Sequence, residues 1–344
     1  MKQLIQTLTE TKNLQDAELF SLLTEEFDES ILFAAADGIR RQVYGDAVYI
    51  RGLIEVTNYC KNNCYYCGIR AGNKKVLRYR LTKEQILDCC RIGYELGFRT
   101  FVMQGGEDPV WDDRMICSTV EAIRKEFEDC AITLSLGEKS KQSYQDYFKA
   151  GANRYLLRHE TATDAHYAKL HPEEMRLSTR KRCLFDLKEI GYQVGAGFMV
   201  GSPYQEMEHL ISDLRFLQEL TPDMIGIGPY LTHKDTPFRE FPNGNLPLTV
   251  RLIGILRLMF PHALIPATTA LGTIHPKGRE MGLKAGANVV MPNLSPQDVR
   301  KLYALYENKL ATDEEAAESL NKLKEQVTAA GYRVVIGRGD VKKG

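Results

Sequence analysis

The stretch Ala150-Gly151-Ala152-Asn153-Arg154-Tyr155-Leu156-Leu157-Arg158-His159-Glu160 ends a helical segment, turns on a glycine and runs into a short β-prone segment. Its first four residues recur as Ala285-Gly286-Ala287-Asn288 near the other end of the chain. A glycine there fits the C′ position of a helix, where a left-handed backbone closes the last turn without steric cost. One helix-to-strand device used twice implies a repeated unit. Working outward, eight β-prone runs alternate with amphipathic helical stretches: Tyr49–Val56, Thr100–Gln104, Ala131–Leu136, Arg154–His159, Gln193–Val200, Met224–Tyr230, Leu264–Thr268 and Asn288–Met291. Gly97 and Gly191 mark further helix ends, Thr82 with Gln85 forms a capping box, and Ser295-Pro296-Gln297-Asp298 puts a cap residue before a first-turn proline. Strand and helix alternating eight times without a hairpin signal predicts α/β architecture with a parallel sheet, and eight units make a complete (βα)8 TIM barrel. The competing architecture is an open doubly wound sheet; against it stand the lack of a GxGxxG after the first strand and of a point where strand order reverses. Residues 1–45 read as an N-terminal helical cap with Leu19, Phe20, Leu22 and Leu23 as its apolar face, residues 46–310 as the barrel, and residues 311–344 as a short helical extension packed on its surface.

Period two within the opening stretch puts Arg154, Leu156, Arg158 and Glu160 on one face and Tyr155, Leu157 and His159 on the other. If the apolar set faces the helices, two arginines and a glutamate point inward; the third run repeats this, with Thr133 and Ser135 opposite Ile132, Leu134 and Leu136. Charge inside a barrel must be paired or solvated. The plain reading is an internal ion-pair network. The sharper one is a polar cavity for an anionic ligand, since arginine offers a planar fork suited to carboxylates and barrel enzymes keep their sites at the C-terminal ends of their strands.

The chain's 344 residues suit one large barrel domain, and its 44% hydrophobic and 26% charged content excludes disordered and low-complexity classes. Lys+Arg and Asp+Glu balance at 45 each, so there is no global field for nucleic acid or an anionic membrane, and a small-molecule partner is expected. No window approaches an uninterrupted membrane span, and the first twenty residues lack a signal peptide's apolar core, which places the chain in the cytoplasm.

Eight cysteines are too few for a disulfide scaffold in a chain of this length. Cys89, Cys90, Cys117, Cys130 and Cys183 are scattered through helical stretches, and none follows Cys183. Cys60, Cys64 and Cys67 stand together after the first strand as C-x3-C-x2-C, in a polar loop with Lys61, Asn62 and Asn63. Three thiolates in one short turn suit an iron–sulfur cube with one iron left open for a ligand. The alternative, a zinc site, requires a fourth ligand, and no histidine lies at the local spacing zinc motifs use.

With Tyr66 before its last cysteine, this loop resembles the hallmark of the radical SAM superfamily. The resemblance implies a 4Fe-4S cluster held by Cys60, Cys64 and Cys67 as metal ligands and catalytic centre, with S-adenosylmethionine on the open iron and reductive cleavage to a 5′-deoxyadenosyl radical. Gly105-Gly106-Glu107 resembles the segment that meets the methionyl amino group, and Gly195–Gly201 the segment near adenine. Longer strings, among them Arg154–Ala162, Ile227–Tyr230, Ile265–Ala270 and Gly286–Asn293, are similar to the FeFe-hydrogenase maturase HydE family from about residue 50 to 306. That family is a complete (βα)8 barrel that helps assemble the hydrogenase H-cluster, acting on a small iron–carbonyl–cyanide–cysteine complex from the maturase HydG. The scaffold maturase HydF and an electron donor such as ferredoxin are its further implied partners.

Carried over one at a time, Glu160 and Arg180 match SAM contacts, with Tyr66, Ser135, Met291 and Tyr303 near the nucleoside or methionyl group. Arg154, Thr268 and Thr269 match residues of a deeper anion and substrate pocket, with Gln104, Thr133 and Tyr306 beside them. Each has a plainer reading: solvation for Arg180, packing for Tyr303 and Tyr306, ordinary strand preference for the threonines. No cysteine follows Leu310, so the second cluster of some family members is not expected. Three other functions compete. A mutase similar to methylornithine synthase would need a pocket for an amino acid such as lysine. A biotin synthase-like enzyme needs a second, sulfur-donating cluster inside the barrel. An iron–sulfur carrier or scaffold needs neither a closed cavity nor sulfonium-binding residues.

Overall fold

The computed structural model describes residues 1–310 and 316–342. Its strands in chain order are β1 (Ala47–Ile50), β2 (Gly52–Thr57), β3 (Thr100–Gly105), β4 (Ala131–Ser135), β5 (Arg154–Leu156), β6 (Gln193–Ala196), β7 (Met199–Val200), β8 (Met224–Ile225), β9 (Gly228–Pro229), β10 (Val289–Val290) and β11 (Arg333–Val335). A continuous six-stranded parallel sheet runs β2-β3-β4-β5-β6-β8, and helices connect most neighbours, so this is an α/β, barrel-like fold. Beyond β8 the round is carried by isolated parallel bridges, Met224 with Leu264, Pro266 with Val289 and Leu53 with Asn293, so the expectation of eight full strands is met only in part. The run Leu264–Thr268 forms no strand. The first run is two strands, because β1 pairs with β10 and β11 while β2 pairs with β3, and the exchange of partners falls at Arg51.

The repeated four residues do the same work twice. Gly151 and Gly286 both take φ of +117°. The amide of Asn153 donates to the Ile132 carbonyl and its Oδ1 accepts from the Ile132 N–H at 3.0 Å. Asn288 does likewise with Ile265, its Oδ1 accepting at 2.9 Å. An arginine from an earlier helix, Asp113–Glu126 or Leu246–Met259, closes each unit: Arg124 donates to the Gly151 carbonyl and to Asn153 Oδ1, and Arg257 donates to the Gly286 carbonyl and to Asn288 Oδ1. Helix-end carbonyls that would otherwise be orphaned are thereby satisfied, and each following strand is fixed in register. The arginines were not legible as part of the repeat because they lie far upstream of it, Arg124 29 residues before Asn153 and Arg257 31 before Asn288.

Thr82 and Gln85 form the expected capping box on the helix Lys83–Glu95. Ser295 does not cap: its Oγ accepts from the Glu55 N–H across the interior, leaving Pro296 at the start of the short helix Gln297–Arg300. The N-terminal segment forms three helices, Lys2–Thr11, Asp16–Thr24 and Ser30–Tyr44. Leu19, Leu22 and Leu23 are buried there, but Phe20 is not part of that face and is 39% exposed. The C-terminal segment is more than surface packing. After the helix Ala316–Ala329, β11 joins β1, and the residues beyond it run beneath the sheet, where Arg338 and Asp340 meet β3, β5 and β6.

Candidate functional site

The parity drawn from the sequence holds, but height along the strand decides which inward residues meet. Tyr155 and His159 pack outward, against Tyr144 and Phe216. Arg154, first residue of β5, points inward at the bottom. It is fully buried, donating to Asp340 Oδ1 and the Arg338 carbonyl at 2.7 Å, to Thr100 Oγ1 at 3.1 Å and to Gln193 Oε1 at 3.2 Å. It lines neither interior cavity described below, so its expected place in a substrate pocket is corrected: its guanidinium is committed to the C-terminal segment. Arg158, four residues and so about 13 Å further along an extended chain, lines both cavities instead.

Two cavities stand one above the other. The upper, of about 230 Å³, is reached by the cysteine loop through Tyr66 and Cys67 and is lined also by Glu55, Glu160, Thr269, Tyr306 and Lys309. The lower, of about 130 Å³, is lined by Arg51, Val102, Thr133, Leu156 and Met224. Gln104, Arg158, Thr268 and Met291 line both. In the lower cavity, buried donors lack partners: Arg51 Nε and Nη2, Arg158 Nε, Thr133 Oγ1 and Thr268 Oγ1. Among the described residues lining it none is acidic. Buried polar groups are ordinarily hydrogen-bonded, and so many idle donors around one void point to a ligand that accepts hydrogen bonds. Burial, reinforced by the nearby Arg154 charge and only partly offset by Asp340, pulls the Arg51 guanidinium well below its ordinary value.

In the upper cavity Glu55 is fully buried between Lys309, its ion-pair partner, and Asn293 Nδ2 at 2.9 Å. Burial pushes its carboxyl up, against the pull of Lys309. Glu160 adopts φ of +66°, a costly conformation for a residue with a side chain, and is held there by its N–H to the Gly197 carbonyl and by Arg158 Nη2 at 3.1 Å from Oε2. Neither Glu55, Lys309, Arg51 nor Arg158 was singled out as a site residue. Arg158 and Glu55 were findable from strand parity, Arg51 and Lys309 only from the fold.

The cysteine loop bears on the cavity from one side. Cys60, Cys64 and Cys67 are free of disulfides and half-buried. Burial raises all three thiols, Cys67 to about 12, with neighbouring Cys60 adding to the effect. Such thiols stay protonated unless a cationic metal centre stabilises the thiolates. Among the described residues no three cysteine, histidine or carboxylate groups close on a point as a single metal ion requires. A polynuclear cluster takes its ligands at separate corners, and the three-thiol donor set suits it. Gly106 makes room for the turn: a Cβ there would lie 2.2 Å from the Tyr59 carbonyl and 2.7 Å from Cys60 Cβ. Tyr66 is steadied by His171, whose Nε2 faces its hydroxyl at 3.1 Å; burial pulls His171 to about 3, so the imidazole is neutral.

Several sequence-chosen residues act beside the cavity rather than in it. Glu107 accepts from the Glu138 N–H at 3.0 Å, lies 3.4 Å from Lys61 and packs where a Cβ on Gly137 would be, so it braces loops. Gly105 ends β3 against Thr57, and Ser135 ends β4 in register with Gln104. Tyr303 is buried, its hydroxyl accepting from Gln104 Nε2 at 3.4 Å. Arg180 is buried, not solvated: its Nε lies 2.7 Å from Glu138, and its charge is felt at Cys64. Met291, Thr268, Thr269 and Tyr306 line the upper cavity, and of the three expected in a deeper pocket only Thr268 also reaches the lower one. Cys89, Cys90, Cys117 and Cys183 sit on outer helices, with Cys130 just before β4.

The family model of the radical SAM superfamily matches residues 54–217, which span the cysteine loop and strands β3 to β7. The chain is 46% identical over 297 residues to the [FeFe] hydrogenase maturase subunit HydE of Thermotoga maritima, covering 86% of this chain and 84% of that one. It is 31% identical over 293 residues to 3-methylornithine synthase of Methanosarcina acetivorans, covering 83% and 81%. The crystal structure of methylornithine synthase superposes with a TM-score of 0.85 at 29% identity, covering 96% of this chain and 97% of that one. With a cysteine loop set against a lined interior, and near-half identity over most of its length to a maturase of the same extent, the chain belongs to the HydE family of FeFe-hydrogenase maturases within the radical SAM superfamily.

Proposed function

We propose that this enzyme cleaves S-adenosylmethionine reductively and turns the resulting radical on a small, anion-bearing iron–carbonyl–cyanide–cysteine complex during H-cluster assembly. The observation that carries the substrate class is the lower cavity: two arginines and two threonine hydroxyls, with idle buried donors and no acidic lining residue. Cys60, Cys64 and Cys67 would hold the 4Fe-4S cluster, which when bound supplies the electron that breaks the sulfonium bond. Glu160, on its strained turn, and Arg158 would orient the nucleoside and the substrate respectively across the shared boundary of the two cavities. Thr268, Thr269 and Thr133 offer hydroxyl donors to cyanide or carboxylate groups, and Met291 and Met224 supply apolar wall that keeps water from a radical.

Methylornithine synthase chemistry is the second reading, favoured by the likeness in fold. A substrate with free ammonium groups would want carboxylates around it. Those near the boundary, Glu55 and Glu160, already face Lys309 and Arg158. The deciding experiment omits this protein from an anaerobic in vitro maturation mixture containing the HydG and HydF maturases. Loss of hydrogen evolution, restored by adding it back, supports the assignment, and undiminished evolution removes it. We place the protein in the cytoplasm; no helix among the described residues is long and apolar enough to cross a membrane.

A further inference from the structure

Next to Glu160 lies a buried acid–base pair with no part in either cavity. His159 and Asp213 are both fully buried, with His159 Nε2 3.2 Å from Asp213 Oδ1, and neither lines the upper or the lower void. Asp213 stands on the helix Met207–Leu220, whose buried face is otherwise apolar, with Leu210, Leu214 and Leu217 among its residues. A helix that needed only packing would carry another leucine there, because a carboxyl costs free energy to bury unless its oxygens find donors. The donor it finds is the backbone of the turn that follows Glu160: the Ala162 N–H donates to Asp213 Oδ1 at 2.5 Å.

The pair belongs to a short circuit of hydrogen bonds around one residue. The Gly197 N–H donates to His159 Nδ1 at 3.3 Å, so the neutral imidazole carries its proton on Nε2, the atom that faces Asp213. The carbonyl of the same glycine accepts from the Glu160 N–H at 3.1 Å. On the other side, Ala162 is held by both its polar groups, the N–H by Asp213 and the carbonyl by Lys181 Nζ at 3.0 Å. Gly197 has φ of +151°, and a Cβ on it would lie 1.9 Å from the Gly226 carbonyl oxygen, so only glycine serves there. Glu160 thus has an anchored backbone on each side. Its φ of +66° requires this, since such a conformation persists in a residue with a side chain only where the surroundings over-determine it. Burial pushes the Asp213 carboxyl up and the His159 imidazole down, so the pair adds no net charge beside Glu160.

We propose that Asp213 is a positioning residue for S-adenosylmethionine: through Ala162 and His159 it fixes the backbone on both sides of Glu160 and so aims the Glu160 side chain into the upper cavity. The inference rests on the reading that Glu160 contacts S-adenosylmethionine. Asp213 itself does not touch the ligand. It supplies a neutral hydrogen-bond acceptor at a fixed point, and loss of that acceptor lets the turn relax to ordinary torsions and carries Glu160 out of its pose. A carboxyl that served only to seat the helix Met207–Leu220 on the barrel would act on stability and leave the Glu160 contact alone.

The test uses the full-length, cluster-reconstituted protein and reads equilibrium binding of S-adenosylmethionine by calorimetry, with backbone hydrogen exchange over residues 159–163 as a second measurement. Glu160→Gln should weaken binding about tenfold or more, the scale of a lost hydrogen bond to a charged group. Asp213→Leu completes the apolar helix face but offers no acceptor. It should also weaken binding about tenfold or more, as loss of the outer partner of a binding group does, and should speed exchange across the turn. Asp213→Asn keeps a neutral acceptor and should bind within about twofold of wild type. In the Glu160→Gln background, Asp213→Leu should add no more than about twofold, because residues acting through one another do not add. Where Asp213→Leu does not fold, Asp213→Ser, an atom too short for the Ala162 N–H, carries the same comparison. Losses that multiply in the double variant would overturn the positioning role and leave Glu160 in its place. So would Asp213→Asn binding as weakly as Asp213→Leu, or Asp213→Leu binding as wild type while Glu160→Gln does not. Unchanged binding in Glu160→Gln would overturn both this proposal and the reading of Glu160 beneath it.

Discussion

Arg154 and Arg158 leave the same stretch of chain on the same inward face, four residues apart, and meet opposite fates. Arg154 finds a carboxylate, a carbonyl, a hydroxyl and an amide oxygen, and seals the lower end against the C-terminal segment. Arg158 keeps an idle Nε at the boundary of two cavities. Full satisfaction of a buried cation makes structure, and incomplete satisfaction leaves binding capacity. The lower end of this fold is therefore built to hold, and the upper end to receive.

The largest effect belongs to the upper end. Cys64→Ser should reduce 5′-deoxyadenosine formation from S-adenosylmethionine to background in anaerobic assays while the far-ultraviolet circular dichroism stays as in wild type. Persistence of the activity would break the assignment of the upper end at its root. Next, Arg158→Ala should lower substrate turnover about a hundredfold or more, the scale of a lost charge-assisted contact made in the reacting complex. S-adenosylmethionine cleavage without substrate and thermal stability should change far less. A melting temperature falling as far as in Arg154→Ala would erase the contrast between the two arginines.

Arg154→Ala should instead cost about 2–4 kcal/mol in denaturant unfolding, as expected when one partner of a buried ion pair is removed and the other can still reach water. The same bridge has a pH signature. Asp340 is held at about 2, below the 3.8 of a free aspartate, by Gln193, Arg154 and Arg338 acting against burial. A depressed carboxyl contributes stability that is fully present above its unfolded value and is lost as pH falls through its folded one. Unfolding free energy should thus decline between about pH 4 and pH 2 in wild type, and more shallowly in Asp340→Asn. The smallest effect is expected from Thr133→Val. Its Oγ1 is buried without a partner, so the swap should leave stability unchanged or raise it by about 1 kcal/mol, while weakening substrate affinity.

Much of this was open to reading from the residues. Alternation of β-prone and helical runs gave a parallel α/β fold, and the doubled Ala-Gly-Ala-Asn gave a repeat whose two copies share φ and hydrogen bonds. The cysteine spacing gave the superfamily, which near-half identity to a maturase confirms. Parity along β5 placed Glu160 and Arg158 correctly. It put Arg154 on the inward face as well, but the pocket place that the family resemblance gave Arg154 is not met, because period two reports which face a side chain leaves from and is silent about height. Phe20 and Ser295 failed for a similar reason: local pattern proposes a face or a cap, and long-range neighbours decide whether it is used.

Local chemistry, then, is what the residues settle alone: where the chain turns, which side chains look inward, and which thiols cluster within one loop. These follow from backbone geometry and short-range spacing, and need no distant partner. Tertiary structure decided which inward charges are neutralised, since the partners of Arg154 and Glu55 come from residues 186 and 254 positions away in the chain. A charge in a low-dielectric interior is defined by what faces it, and only folding brings Asp340 to Arg154 and Glu160 to Arg158 while leaving no acidic residue in the lining of the lower cavity.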